Sequence, residues 1–124
     1  MTDYLAQAFP KLAGRLPKTR LADLPTPVDA RSLLIGEQRK TISLKHDERS
    51  SMLYGGNKVR KLEYLLRRAC DRNADRVATF GTVASNHALA TALHAASLNL
   101  ACTCFLSHQI KTPTAPVVLK MHLR

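Results

Sequence analysis

Apolar and polar positions follow a clear rhythm from Thr41 onward and a weak one before it. Thr41 to Asp47 reads Thr-Ile-Ser-Leu-Lys-His-Asp, so Ile42 and Leu44 fall on one face and predict a strand. Val59, Leu62, Leu65, Leu66, Ala69 and Cys70 then recur at helical spacing. Arg60, Lys61, Glu63, Arg67, Arg68 and Arg72 fall on the opposite, water-facing side. Asn57 is placed to cap this helix at Lys58, Asn73 is placed to stop it, and Glu63 is expected to pair with Arg67 at i,i+4. Val77 to Phe80 is a short apolar strand closed by Gly81. After Ser85-Asn86-His87 a second helix runs to about Asn99, and its alanines and leucines with few charges imply burial on more than one side. Ala101 to Ser107 is a further strand, and Val117 to Arg124 a last helix behind Pro113 and Pro116.

The order from Thr41 is therefore β-α-β-α-β. That order predicts an α/β fold, a parallel sheet with right-handed β-α-β crossovers. Residues 1–40 carry Pro10, Pro17, Pro25 and Pro27. They read as an extended N-terminal arm lying on a body formed by residues 41–124.

Composition narrows the classes. With 124 residues, 45 % apolar and 23 % charged, the chain fits one globular domain and not a disordered tail or a disulfide-dense mini-protein. The formal net charge is +10, and no acid follows Asp75. Such a balance suits an anionic ligand, or marks a piece whose acidic remainder lies elsewhere. Cys70, Cys102 and Cys104 are odd in number and lack C-x-x-C spacing, which implies reduced thiols in the cytoplasm, and no metal site is expected. The apolar stretch Ala88 to Leu106 is interrupted by His94, Ser97 and Asn99, so no membrane association is expected.

Two loops are candidate sites, because ligands of open α/β sheets bind where strands end and helices begin. One holds Gly55-Gly56-Asn57-Lys58 and the other Ser85-Asn86-His87. Both open helices, so both offer backbone N–H groups and the positive end of a dipole. A lysine there sits where the dipole disfavours a cation, which suits an amine that must react as a Schiff-base nucleophile. Ser85, Asn86 and His87 offer a hydroxyl, an amide and an imidazole for a carboxylate or a phenolic oxygen. Their plain structural reading is a cap, a surface amide and a packed ring. No G-x-S-x-G elbow, P-loop or G-x-G-x-x-G is present in the sequence.

The run Gly55-Gly56-Asn57-Lys58-Val59-Arg60-Lys61-Leu62-Glu63-Tyr64-Leu65-Leu66, followed by Phe80-Gly81 and Ser85-Asn86-His87, resembles the aminocyclopropane-carboxylate deaminase and D-cysteine desulfhydrase family. The resemblance covers about residues 20–108. It implies a pyridoxal 5'-phosphate enzyme of the tryptophan-synthase β type, with the two-domain fold type II. It further implies a lyase or deaminase that acts on a small amino acid, with a homo-oligomer as the assembly to be looked for. Lys58 would carry the cofactor as a Schiff base and shuttle the substrate proton. Asn86 would bond the cofactor's ring oxygen, while Ser85 and His87 would hold the substrate carboxylate or stand close to the reacting carbon. Members of that family are longer, and their phosphate-binding loop lies downstream. The expectation is therefore an N-terminal portion, with 41–124 a partial, C-terminally truncated α/β domain that is inactive alone.

Two other readings stand beside this one. A non-catalytic remnant would expose apolar surface and aggregate or pair with another chain. A basic nucleic-acid module would follow from the charge, but aromatics are only 5 % and do not interleave with the bases, so no specific nucleic acid is expected.

Overall fold

The computed structural model describes residues 4–12, 14–109 and 112–122. In chain order it contains α1 (Tyr4–Ala8), β1 (Val28–Ile35), β2 (Gln38–Lys45), α2 (Lys58–Asp71), β3 (Arg76–Thr82), α3 (Asn86–Ala96), β4 (Ala101–Ser107) and α4 (Ala115–His122). Short 3-10 turns lie at Pro10–Leu12 and Asp47–Ser50.

The strands form two separate pairs among the described residues. β3 and β4 pair in parallel, from Arg76 with Ala101 to Thr82 with Ser107, and α3 connects them. β1 and β2 form an antiparallel hairpin, with Ile35 opposite Gln38 across Gly36-Glu37. The expected three-strand parallel sheet is thus corrected. The strand around Ile42 and Leu44 pairs with Val28–Ile35, inside the stretch expected as arm. The reason is local: Gly36 has φ +60, at the position where a two-residue hairpin turn takes glycine.

The core lies between the helices and one face of the parallel pair. Leu62 and Leu66 of α2 meet Ala90 and Ala95 of α3 and Leu100, with Val77 and Cys102 packed against them. Val77, Thr79, Cys102 and Cys104 share this face through the parallel register, and Cys102 and Cys104 bring their sulfurs to 4.0 Å. Buried residues on α3 run consecutively from Ala88 to Thr91, so that helix is enclosed on several sides, as its composition predicts. On the opposite face Phe80 and Phe105 stack at 4.9 Å and remain exposed.

Helix α2 begins and ends as its pattern predicts. Asn73 closes it with φ +53, donating its N–H to Cys70 O. Three details differ. Asn57 makes no side-chain cap. Leu65 is 52 % exposed, because it faces the open edge of β3. Glu63 is only 2 % exposed and does not meet Arg67, which pairs with Asp71 instead at 2.8 Å. The carboxylate of Glu63 accepts from the backbone N–H groups of Leu21 and Ala22, both at 3.0 Å, with Lys18 at 3.9 Å. The arm lies across this helix and turns a surface position into a buried one.

The last helix, Ala115–His122, begins two residues before the predicted start, and Leu123 and Arg124 lie outside the described residues. No helix among the described residues is long and apolar enough to cross a membrane.

Candidate functional site

The Lys58 loop is built on Asp47 and Ser50. Asp47 accepts two bonds from the Arg60 guanidinium, at 2.8 and 3.1 Å, and one from Lys45 Nζ at 2.8 Å. These cations hold its carboxyl down at about 2. Its backbone carbonyl accepts from Gly56 N at 2.8 Å, and Ser50 Oγ exchanges bonds with Gly56 N and O, both at 3.0 Å. Both glycines are required. A Cβ at Gly55 would lie 1.9 Å from Glu48 O, and Gly56 has φ +111. The loop thereby brings the backbone hard against Glu48 and delivers Lys58 as the first residue of α2.

Glu48 is held in turn by His46, whose Nδ1 lies 2.6 Å from Glu48 Oε1 and whose Nε2 lies 3.0 Å from Asp29 Oδ2. Carboxylates at both ring nitrogens, Glu48 first, raise the His46 pKa and favour the doubly protonated ring.

The second loop is set by Gly81 and Ser85. A Cβ on Gly81 would lie 2.5 Å from Ser85 Cβ and Oγ, so glycine is what lets the loop close. Ser85 caps α3, its Oγ accepting from Ala88 N at 3.1 Å. Asn86 follows, and its Oδ1 accepts from the Tyr54 hydroxyl at 2.8 Å. The Tyr54 carbonyl accepts from buried His94 Nε2 at 3.0 Å, so α3 holds that tyrosine from two sides.

These elements enclose a cleft of about 480 Å³ lined by Glu48, Tyr54, Gly55, Gly56, Asn57, Lys58 and Asn86. Of the four residues singled out from sequence, Lys58 and Asn86 line this cleft and the other two do not. Ser85 is engaged as a cap. His87 lines a separate cavity of about 240 Å³ between α2, β3 and α3, with Thr79 and Thr91. Burial, with Lys61 and Lys58 nearby, lowers its pKa. His87 Nδ1 and Thr79 Oγ1 are buried without a hydrogen-bond partner. Tyr54 and Glu48 are cleft residues that spacing alone did not reveal.

The donor set suits a flat aldehyde cofactor. It offers a primary amine at a helix start, a carboxamide on the same cleft and two glycines that carry no side chain into it. Lys58 and Asn86 are the cleft residues that could hold such a group.

A family model described as "Pyridoxal-phosphate dependent enzyme" matches residues 19–122. The chain belongs to the pyridoxal-phosphate dependent enzyme family. Its cofactor is that of the family. D-cysteine desulfhydrases of Klebsiella pneumoniae and Salmonella paratyphi A are each 38 % identical to it over 98 residues, which is 79 % of this chain and 30 % of theirs. The crystal structure of an ACC deaminase homologue matches with a TM-score of 0.66 at 25 % identity, over 93 % of this chain and 41 % of that one. The chain thus spans about 30 % of the length of the desulfhydrases it matches. The likeness to the deaminase homologue agrees with the α/β architecture of fold type II.

Proposed function

We propose that the chain serves a pyridoxal-phosphate-dependent lyase or deaminase acting on a small amino acid, of the D-cysteine desulfhydrase or ACC deaminase kind. The observation that carries this is the placing of Lys58 and Asn86 on one cleft, behind two glycines that the backbone requires. The bound cofactor supplies an electron sink for negative charge at the substrate's α-carbon.

The protein residues then have separate tasks. Lys58 Nζ holds the cofactor and moves the proton at the α-carbon. Asn86 donates to the ring oxygen and fixes the plane of the ring. Ser85 Oγ accepts the cap bond and still has its hydroxyl proton to offer a substrate carboxylate. Burial, and then Lys61 and Lys58, lower the pKa of His87 and favour its neutral ring. It lines the neighbouring cavity beside the start of α3. Three free cysteines suit a reducing compartment, in keeping with a cytoplasmic enzyme.

The test is loading with pyridoxal phosphate, borohydride reduction and peptide mapping. Modification concentrated at Lys58 is expected. Modification spread over the chain's lysines, or none, overturns the reading.

A further inference from the structure

We propose that Tyr54 is a positioning residue of this site, fixing which way the Asn86 amide faces. The proposal rests on the reading of Lys58 and Asn86 given above.

An asparagine side chain has two ends of opposite character: an oxygen that accepts and an NH₂ that donates. Only the donor end suits an acceptor oxygen on a ligand ring. Asn86 is the first residue of α3 and is exposed, so packing does not choose its orientation. In the structure the Tyr54 hydroxyl donates to Asn86 Oδ1 at 2.8 Å, the one arrangement of the pair that turns the NH₂ group away from the phenol. Burial raises the Tyr54 pKa, which keeps the phenol protonated and able to donate. With Oδ1 satisfied, the NH₂ group is the end left for the cleft.

Tyr54 is itself held. His94 Nε2 donates to its carbonyl at 3.0 Å, and His94 is 1 % exposed. His94 lies about two turns beyond Asn86 on the same helix. The tyrosine therefore ties the loop before Gly55 to both ends of α3. It keeps the Asn86 loop and the Lys58 loop in register, across the two elements whose meeting forms the cleft.

The test uses the full chain and four forms of it: the parent, Tyr54→Phe, Asn86→Ala and the double variant. Each is titrated with pyridoxal phosphate, and affinity is read from the absorbance of the bound cofactor. Tyr54→Phe keeps the ring and removes only the hydroxyl. It is expected to weaken binding by roughly threefold to tenfold in the parent and to have no effect once Asn86 is alanine. In the chain without cofactor, Tyr54→Phe is also expected to move the side-chain amide resonances of Asn86.

Equal losses in both backgrounds would make Tyr54 a packing residue and overturn the proposal. So would unchanged affinity or unmoved Asn86 resonances. A parent chain that never binds the cofactor overturns the reading of the site itself. A parent that binds at Lys58 while Tyr54→Phe changes nothing overturns the role of Tyr54 alone.

Discussion

The two helices that meet at the cleft begin in opposite ways. Helix α3 starts with a finished cap, Ser85 Oγ on Ala88 N. Helix α2 starts with none: Asn57 sits in the cap position with helical backbone angles and no side-chain bond. Its first-turn bond, from Val59 N to Gly56 O, is long at 3.4 Å. A capped start is structurally complete, whereas an uncapped one leaves N–H donors and a dipole end open to the cleft. The difference shows that residues equally suited to capping serve different ends. Ser85 stabilises its helix, while Asn57 stands beside Lys58 on the cleft and contributes little to holding the helix start.

The largest effect that would sharpen this contrast comes from Lys58→Ala. Borohydride-trapped cofactor should disappear, read by mass spectrometry, while the melting temperature stays near that of the parent. Next is Gly55→Ala, where the new Cβ would run into backbone rather than into a movable side chain. A loss of about 1–3 kcal/mol is expected in urea denaturation, and full stability in that variant would show that the loop closes differently.

Ser85→Ala should cost about 1 kcal/mol through the lost cap, whereas Asn57→Ala should cost less than about 0.5 kcal/mol. Equal costs in paired urea melts would erase the distinction between the two helix starts.

The smallest effects are those of pH on the supports behind α2. Asp47 has its pKa depressed, so its contribution is present above 3.8 and drains as pH falls toward about 2. His46 has its pKa raised, so its contribution is full below 6.5 and drains as pH rises through the folded value. Asp47→Asn should flatten the acid limb of a melting-temperature profile, and His46→Gln the limb above 6.5. An unaltered profile in either variant would remove that group from the support.

Much of this was legible in the sequence. Strand β4 and the start of α2 match their patterns residue for residue, because each has one face in a core and the other in water. The hairpin was half hidden. Val28-Asp29-Ala30-Arg31 alternates briefly and then gives way to Leu33-Leu34-Ile35, since both faces of β1 are largely open and no burial imposes a longer pattern. The usable signal was Gly36-Glu37 between the apolar run Leu33-Leu34-Ile35 and the polar start of a strand that alternates only from Thr41. Glu63 was misread because the residues that bury it lie some forty positions earlier, where no helical period reaches. Tyr54 was missed for the same reason: its meaning depends on Asn86, 32 positions later. Lys58 and Asn86 were singled out through the family motif, since their local pattern alone fits a surface lysine and a surface amide equally well; the structure puts both on one cleft.

The bond from Glu63 to the arm has a consequence for the timing of exchange. Leu21 and Ala22 belong to no helix or strand, and amides of such segments ordinarily trade their hydrogens with solvent quickly. Here both amides are locked to a carboxylate on the helix that begins with Lys58. In deuterated water they should therefore exchange in step with the middle of that helix. A stretch that looks like a loose strap then opens and closes as part of the same cooperative unit as the helix that carries Lys58.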